Sequence, residues 1–210
     1  MRKLEDKVAL VTSSTKGIGL ASAFALAEEG ALVYIAARSE ELANEVVSNI
    51  NKKGYKAKFV YFNALEPDTY TTMIDTVINN EGRLDILVNN YGGTNIKLDM
   101  DLVNGDTNEF FKILQSNIQS VYLPCKAAVP HMIKNGGGSI INISSIGSVV
   151  PDVSRTAYGV SKAAINSLTQ NIAIQYANKN VRCNAILPGP IETKTVLKSM
   201  TEEFKNSLIK

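Results

Sequence analysis

Val8-Ala9-Leu10-Val11-Thr12-Ser13-Ser14-Thr15-Lys16-Gly17-Ile18-Gly19 passes from apolar to small and polar residues near the start of the chain. Val8 to Thr12 is a short apolar run, suited to a strand buried on both faces. Ser13 to Gly19 is a turn of small residues. Leu20 to Glu29 is Ala-rich and helix-prone, with Gly30 as its stop. Gly17 and Gly19 fall where the turn enters the helix. Glycine there lets the backbone approach a pyrophosphate, and the positive end of the helix dipole favours its charge.

Outward from this stretch, strand and helix patterns alternate six times. Ala31 to Ala37 reads as a second buried strand. Ser39 caps a helix from Glu40 to Lys53 that starts with acidic residues, as the helix dipole prefers. Lys58 to Phe62 reads as a third strand, and Pro67 opens a helix to Asn80. Leu84 to Asn89 is a fourth strand, followed by Asn90-Tyr91-Gly92-Gly93 and a loop from Thr94 to Gly105. A long helix follows from Thr107 to Lys134, with Pro124 bending it and Pro130 ending its regular part. Beyond Gly136-Gly137-Gly138 come a fifth strand (Ser139 to Ser144), a helix (Arg155 to Asn178) and a sixth strand (Val181 to Leu187). Pro188-Gly189-Pro190 closes the sixth strand. Ile191 to Lys210 is polar, with helical tendency from Thr201 to Leu208.

Parallel strands need such crossovers, so the expected fold is a doubly wound α/β parallel sheet of Rossmann type in a single domain, residues 1–210. Ligands of such sheets sit beyond the carboxyl ends of the strands. Ser13 to Gly19, Arg38, Asn63, Asn90 to Gly92, Ser145 and Pro188-Gly189 all fall at those ends. An acidic residue after the second strand binds a ribose 2′-hydroxyl, whereas an arginine accommodates a 2′-phosphate. The strand here ends Ala36-Ala37-Arg38-Ser39, and Lys16 adds a second positive charge, so the expected cofactor is NADP.

Tyr158 and Lys162 are four residues apart, on one face of a helix. A tyrosine hydroxyl ordinarily loses its proton near pH ~10, and a neighbouring ammonium lowers that value by stabilising the phenolate. Ser145 closes the run Ile140-Ile141-Asn142-Ile143-Ser144-Ser145, thirteen residues before Tyr158. Ser, Tyr and Lys in this order can polarise a carbonyl, protonate it and hold a cofactor.

Composition excludes several alternatives. With 22 basic and 20 acidic residues the net charge is +2, which argues for neither nucleic-acid nor membrane-surface binding. No apolar run is long enough to cross a bilayer, and Met1 to Lys7 lacks the pattern of a signal peptide, so a cytoplasmic location is expected. Cys125 and Cys183 sit in apolar contexts outside any C-x-x-C pattern, which reads as buried free thiols. His131 stands alone, so no metal site is expected.

Taken together, Thr12-x-x-x-Lys16-Gly17-Ile18-Gly19, Asn89-Asn90-x-Gly92, Asn117, Ser145, Tyr158-x-x-x-Lys162 and Pro188-Gly189 resemble the short-chain dehydrogenase/reductase family. Thr12 to Gly17, Asn89 to Asn95 and Ile146 to Asp152 are similar, more narrowly, to its NADP-dependent 7α-hydroxysteroid dehydrogenase branch. The resemblance implies reversible hydride transfer between NADP and the 7α-hydroxyl of a bile acid, a steroid substrate. It implies Tyr158 as acid/base, Lys162 as the cation beside it and on the nicotinamide ribose, and Ser145 as the group orienting the substrate oxygen. Asn117 would hold a water in a proton relay. A cofactor cradle is implied at Ser13, Thr15, Lys16, Gly17, Ile18, Gly19, Arg38, Asn63, Asn90, Gly92, Tyr158, Lys162, Pro188, Gly189, Ile191, Thr193 and Lys194. Asn63 would lie near the adenine and Asn90 near the adenine-side ribose. Thr193 would contact the nicotinamide amide or the pyrophosphate. Ile146 to Val153 and the segment after Pro190 would line the steroid cleft, and a homo-oligomer would form through the two long helices.

Three departures from the family pattern stand out. Ser13 replaces the first glycine, which requires its backbone to avoid glycine-only angles. Tyr91 replaces a small residue and either faces the cofactor or packs nearby. The chain ends at Lys210, short of the further helix and seventh strand usual in the family, so the substrate-covering segment from about residue 190 reads as incomplete. Two other readings remain open: a 3-oxoacyl carrier-protein reductase or other carbonyl reductase, and a non-catalytic NADP-binding protein or inactive fragment.

Overall fold

The computed structural model describes residues 2–191, so Thr193, Lys194 and the helical tendency from Thr201 to Leu208 lie outside the described residues. The elements are β1 (Val8–Thr12), α1 (Gly17–Glu28), β2 (Leu32–Ala37), α2 (Glu40–Lys52), β3 (Lys56–Tyr61), α3 (Thr69–Glu81), β4 (Ile86–Asn89), α4 (Thr107–Lys134), β5 (Gly138–Ile143), α5 (Thr156–Tyr176) and β6 (Val181–Ile186). Short 3-10 turns at Ile146–Ser148 and Ala177–Lys179 flank α5. All six strands are parallel, in the order β3-β2-β1-β4-β5-β6. The order reverses between β1 and β4, which opens a crevice at their carboxyl ends.

Both faces of the sheet are covered, which is why its strands read as continuous apolar runs. Ala9, Val11, Val33 and Ile35 face Ala23 and Ala27 of α1 and Ala43, Val46 and Ile50 of α2. Leu10, Tyr34, Leu87 and Ile140 face α3, α4 and α5 through Met73, Ile74, Val121, Met132 and Ile165. The buried stripe of α1 is Gly19, Ala23 and Ala27, three small residues at helical spacing that let the helix lie close to β1.

A polar seam ties α5 to the sheet inside this core. Asn89 and Asn142 are register partners on β4 and β5. Asn89 Nδ2 donates to Asn142 Oδ1 at 2.8 Å, and Asn142 Nδ2 donates to Thr169 Oγ1 of α5 at 2.8 Å. Cys125 and Cys183 are buried free thiols beside the seam.

The structure corrects several expectations. Helix α1 begins at Gly17 rather than Leu20, because Leu20 N donates to Lys16 O at 3.2 Å and closes a turn around both glycines. Helix α4 ends at Lys134 as expected, but it stays regular through Pro130. Val129 and Met132, flanking Pro130, are buried in the core, and that packing outweighs the lost backbone bond. Helix α3 starts at Thr69, not Pro67, since Thr69 Oγ1 donates back to Asn63 O and Glu66 O, folding the preceding residues into a closed loop. Ser13 does not avoid the left-handed region: its φ is 52, at a cost of roughly 1–2 kcal/mol for a residue with a Cβ. The loop is held there because Asn90 Nδ2 donates to both Thr12 O and Ser13 O at 3.1 Å. Among the described residues no helix is long and apolar enough to cross a membrane.

Candidate active site

At the switch point, the loop after β1 is fastened to the loop after β4 by two side chains. Thr12 Oγ1 accepts from Asn90 N at 2.8 Å and Tyr91 N at 3.2 Å, while Asn90 reaches back to the Thr12 and Ser13 carbonyls. A Cβ on Gly19 would stand 2.5 Å from Asn90 Nδ2 and 2.8 Å from Ser13 O, so only glycine allows this approach.

The N-terminus of α1 has no side-chain cap and no acidic residue in its first turn. By contrast, Ser39 caps α2 and Asp106 caps α4. Unpaired first-turn amides and the helix dipole leave this end suited to an anion. Lys16 precedes it and Arg38 follows β2. Both are exposed, and among the described residues neither is paired with a carboxylate.

Tyr91 packs edge-on to Phe62, with ring centroids 6.4 Å apart at 81°. Burial pushes its hydroxyl pKa up, against the opposing pull of the Arg38 charge. It therefore sits against the core beside the β2–β3 end of the crevice. Asn63 is engaged within its own loop: Nδ2 donates to Glu66 Oε1 at 2.7 Å and Oδ1 accepts from Leu65 N at 3.2 Å.

Asn117 is fully buried in α4 and clamps Gly93 from both sides. Its Oδ1 accepts from Gly93 N and its Nδ2 donates to Gly93 O, each at 2.9 Å. The same amide donates to Ser161 Oγ at 2.9 Å, and Ser161 Oγ donates to Tyr158 O at 2.7 Å. With both amide hydrogens committed, Asn117 fixes the glycine strip against α5. A Cβ on Gly92 would lie 2.6 Å from Lys162 Nζ, so a side chain there would displace the ammonium, whereas Gly93 has open space at its Cβ position.

Lys162 is 2% exposed. Its Nζ donates to Ile143 O at 2.7 Å and stands 5.6 Å from the centroid of the Tyr158 ring. An ammonium has three donors, and only one meets a described protein acceptor. Burial lowers its pKa from an ordinary 10.5 to about 8. The Arg155 guanidinium lies 5.9 Å from the same ring, on the side of the Asp152 carboxylate that pairs with it.

Ser145 ends β5. Its Oγ accepts from Gly147 N at 3.2 Å, so its own proton is left to donate elsewhere. Ser144 instead turns inward and donates to Lys162 O at 3.1 Å, which separates a structural serine from one facing the crevice. Ile146 N donates to Pro188 O at 2.9 Å and joins the loops after β5 and β6.

Ser145, Tyr158 and Lys162 line one cavity of ≈ 790 Å³ together with Ile18, Asn90, Gly92, Pro188, Gly189 and Ile191. Its lining also includes the apolar Ile96, Ile146, Val150 and Val153, with the charged Asp152 and Arg155 beside them. Ser13, Thr15, Lys16, Arg38 and Asn63 lie outside the lining, along the loops after the first three strands.

A model of the short chain dehydrogenase family matches residues 7–203. The chain belongs to the short-chain dehydrogenase family. It is 69% identical over 209 residues to a 7α-hydroxysteroid dehydrogenase of Clostridium sardiniense, covering 100% of this chain and 80% of that one. It is 52% identical over 209 residues to a 7α-hydroxysteroid dehydrogenase of Paraclostridium sordellii, covering 100% of this chain and 78% of the relative. A solved 7α-hydroxysteroid dehydrogenase complexed with NADH and 7-oxo glycochenodeoxycholic acid matches with a TM-score of 0.91 at 31% identity. That match covers 98% of this chain and 79% of the other.

This short-chain dehydrogenase is therefore an oxidoreductase of a family that uses a nicotinamide dinucleotide. Two features of the chain fit such a cofactor. The uncapped end of α1 offers amides to phosphate, and the bare Gly92 edge beside the unfilled donors of Lys162 leaves room for a ribose. One residue of the site escapes sequence reasoning altogether. Asp99, 4% exposed in the loop before α4, accepts hydrogen bonds from the backbone of Ala157 and Tyr158.

The lowered Lys162 pKa has a consequence for stability. Between about 8 and 10.5 the unfolded chain holds a proton on this residue that the folded chain has released. The Lys162 contribution to unfolding free energy should therefore rise with pH across that window, by roughly 3 kcal/mol at most. The buried thiols Cys125 and Cys183, whose pKa values burial raises, pull the total the other way above about 9. In denaturant unfolding of the cofactor-free chain, the stability of the wild type should gain on that of Lys162→Met as pH rises through this window, since the thiols are common to both. Identical pH profiles for the two chains would contradict the burial of a charged lysine.

Proposed function

We propose that the chain oxidises the 7α-hydroxyl of a bile acid to the ketone, reversibly, with NADP as cofactor. One observation carries this reading. Ser145, Tyr158 and the buried Lys162 open together onto a partly apolar cavity, in a chain 69% identical to a 7α-hydroxysteroid dehydrogenase. The cavity volume of ≈ 790 Å³ falls in the ~300–1,000 Å³ range of small-molecule sites. Its apolar lining residues suit a steroid.

In this mechanism the Ser145 hydroxyl, oriented by Gly147 N, donates to the substrate oxygen and holds it beside Tyr158. Tyr158 removes the hydroxyl proton during oxidation and returns it during reduction. A bound nicotinamide would supply the hydride acceptor for carbon 7, and the hydride donor in the reverse direction. Lys162 stabilises negative charge on the Tyr158 oxygen and offers its remaining donors to the ribose. Asn117 and Gly92 hold the wall against which these groups are set.

NADP rather than NAD is supported by Arg38 at the end of β2, exposed and without a carboxylate partner among the described residues, and by Lys16 on the adjoining loop. Gly17, Ile18 and Gly19 would take the pyrophosphate, and Pro188 to Ile191 the nicotinamide end. Association of copies is supported by the exposed apolar side chains Phe111 and Tyr122 of α4 and Val160 and Ile174 of α5.

Tyr158→Phe should lower kcat for a 7α-hydroxylated bile acid by at least ~100-fold while leaving NADP affinity within a few fold. Near-normal turnover would remove Tyr158 from the chemistry. Arg38→Asp should shift the kcat/KM ratio of NADP over NAD by about 100-fold towards NAD, from the loss of a charge-assisted contact and the gain of repulsion. An unchanged ratio would reject the cofactor assignment.

A further inference from the structure

Helix α5, which carries Tyr158 and Lys162, begins without a cap of its own. Arg155, the residue before its first turn, has φ 60 and offers no side-chain acceptor. The first amides of a helix need such acceptors. Here they come from the loop before α4. Asp99 Oδ1 accepts from Ala157 N at 2.8 Å, and Asp99 Oδ2 accepts from Tyr158 N at 3.0 Å. The Asp99 carbonyl accepts from Arg155 N and the Met100 carbonyl from Thr156 N, each at 3.2 Å. Every backbone N–H from Arg155 to Tyr158 is therefore met by residues 99 and 100.

The carboxylate is built into this position. It is 4% exposed, and Thr94 Oγ1 donates to its Oδ2 at 2.7 Å. Among the described residues it has no lysine or arginine partner, since the nearby Arg155 guanidinium is paired with Asp152. A buried carboxylate without a counter-ion is tolerable where backbone amides and a helix N-terminus face it. It grips the backbone of the residue whose hydroxyl lines the cavity. One turn further on, Ser144 Oγ and Ile143 O hold Lys162. The tip and the first turn of α5 are thus fixed from two separate loops.

We propose that Asp99 is a positioning residue for proton transfer. It sets the tip of α5 so that the Tyr158 hydroxyl is held in place relative to Lys162 and Ser145. It also couples that setting to the loop whose Ile96 lines the cavity. The inference rests on the reading of Tyr158 as the proton-transfer group. A displacement on the order of 1 Å at a reacting group costs ~100-fold in rate, so a cap acting on Tyr158's own backbone has that leverage.

Asp99→Ala, Asp99→Asn and Asp99→Glu test it against the wild-type chain. Asn puts a donor where one acceptor stood, Ala removes both acceptors, and Glu keeps the carboxylate. Ala and Asn should lower kcat for a 7α-hydroxylated bile acid by about 10- to 100-fold. NADP affinity, read by fluorescence titration of the reduced cofactor, should stay within about 3-fold, because the cradle of residues 12–19 is untouched. Glu should recover part of the rate. Amide exchange, which needs no substrate, should quicken at least about 10-fold over residues 155–159 in Asp99→Ala and stay slow beyond Lys162. Unchanged exchange at the tip would overturn the proposal, as would an unchanged kcat. A loss of turnover that tracks loss of NADP binding and of protection throughout α5 would also overturn it. Lack of bile-acid turnover by the wild type counts against the substrate reading alone, and exchange at residues 155–159 then decides whether Asp99 sets the helix tip.

Discussion

Lys162 is a cation placed in the interior with one carbonyl to meet it. Burying an ammonium is costly, and the cost falls when its donors find acceptors or an anion comes near. The rest of the site is arranged around that condition. Gly92 leaves Nζ in its place, since a Cβ there would push the ammonium aside, and Asn117 pins the neighbouring Gly93. Ile143 O supplies the single acceptor from the end of β5. What remains unfilled on the ammonium faces the cavity, beside the Tyr158 ring.

The geometry that brings these groups together follows from sheet topology. Residues far apart in the chain meet because parallel strands all end on one side and the strand order reverses between β1 and β4. Short polar side chains then lock the loops. Thr12 and Asn90 join the first loop to the fourth, Ser144 fastens β5 to α5, and Asp99 caps α5 from the loop before α4. The left-handed Ser13 is part of the same economy, since local backbone strain persists where neighbouring bonds fix the conformation.

Much of this was legible in the sequence because strands buried on both faces leave continuous apolar runs and their ends are marked by small residues. Every strand and long helix is present in the expected order. The errors lie where a local rule lost to packing or to a side-chain bond: the glycines of α1 joined the helix, α4 stayed regular through Pro130, and Thr69 rather than Pro67 began α3. Tyr158, Lys162 and Ser145 were singled out by their local spacing, and each lines the cavity. The work of Asn117 on Gly93 and of Asp99 on Tyr158 was not. Their partners lie 24 and 59 residues away, and no periodicity records such a bond. Tyr91 stayed ambiguous for the same reason, since only the fold shows that it packs on Phe62.

The proposed reaction takes place at one carbon atom. Its most direct test is to supply NADP and a 7α-hydroxylated bile acid carrying deuterium on carbon 7, then recover both products. Hydride transfer from carbon 7 should put one deuterium in the nicotinamide ring of the reduced cofactor and leave a 7-ketone without it. Reduced cofactor free of deuterium, or a product oxidised at another carbon, would contradict it.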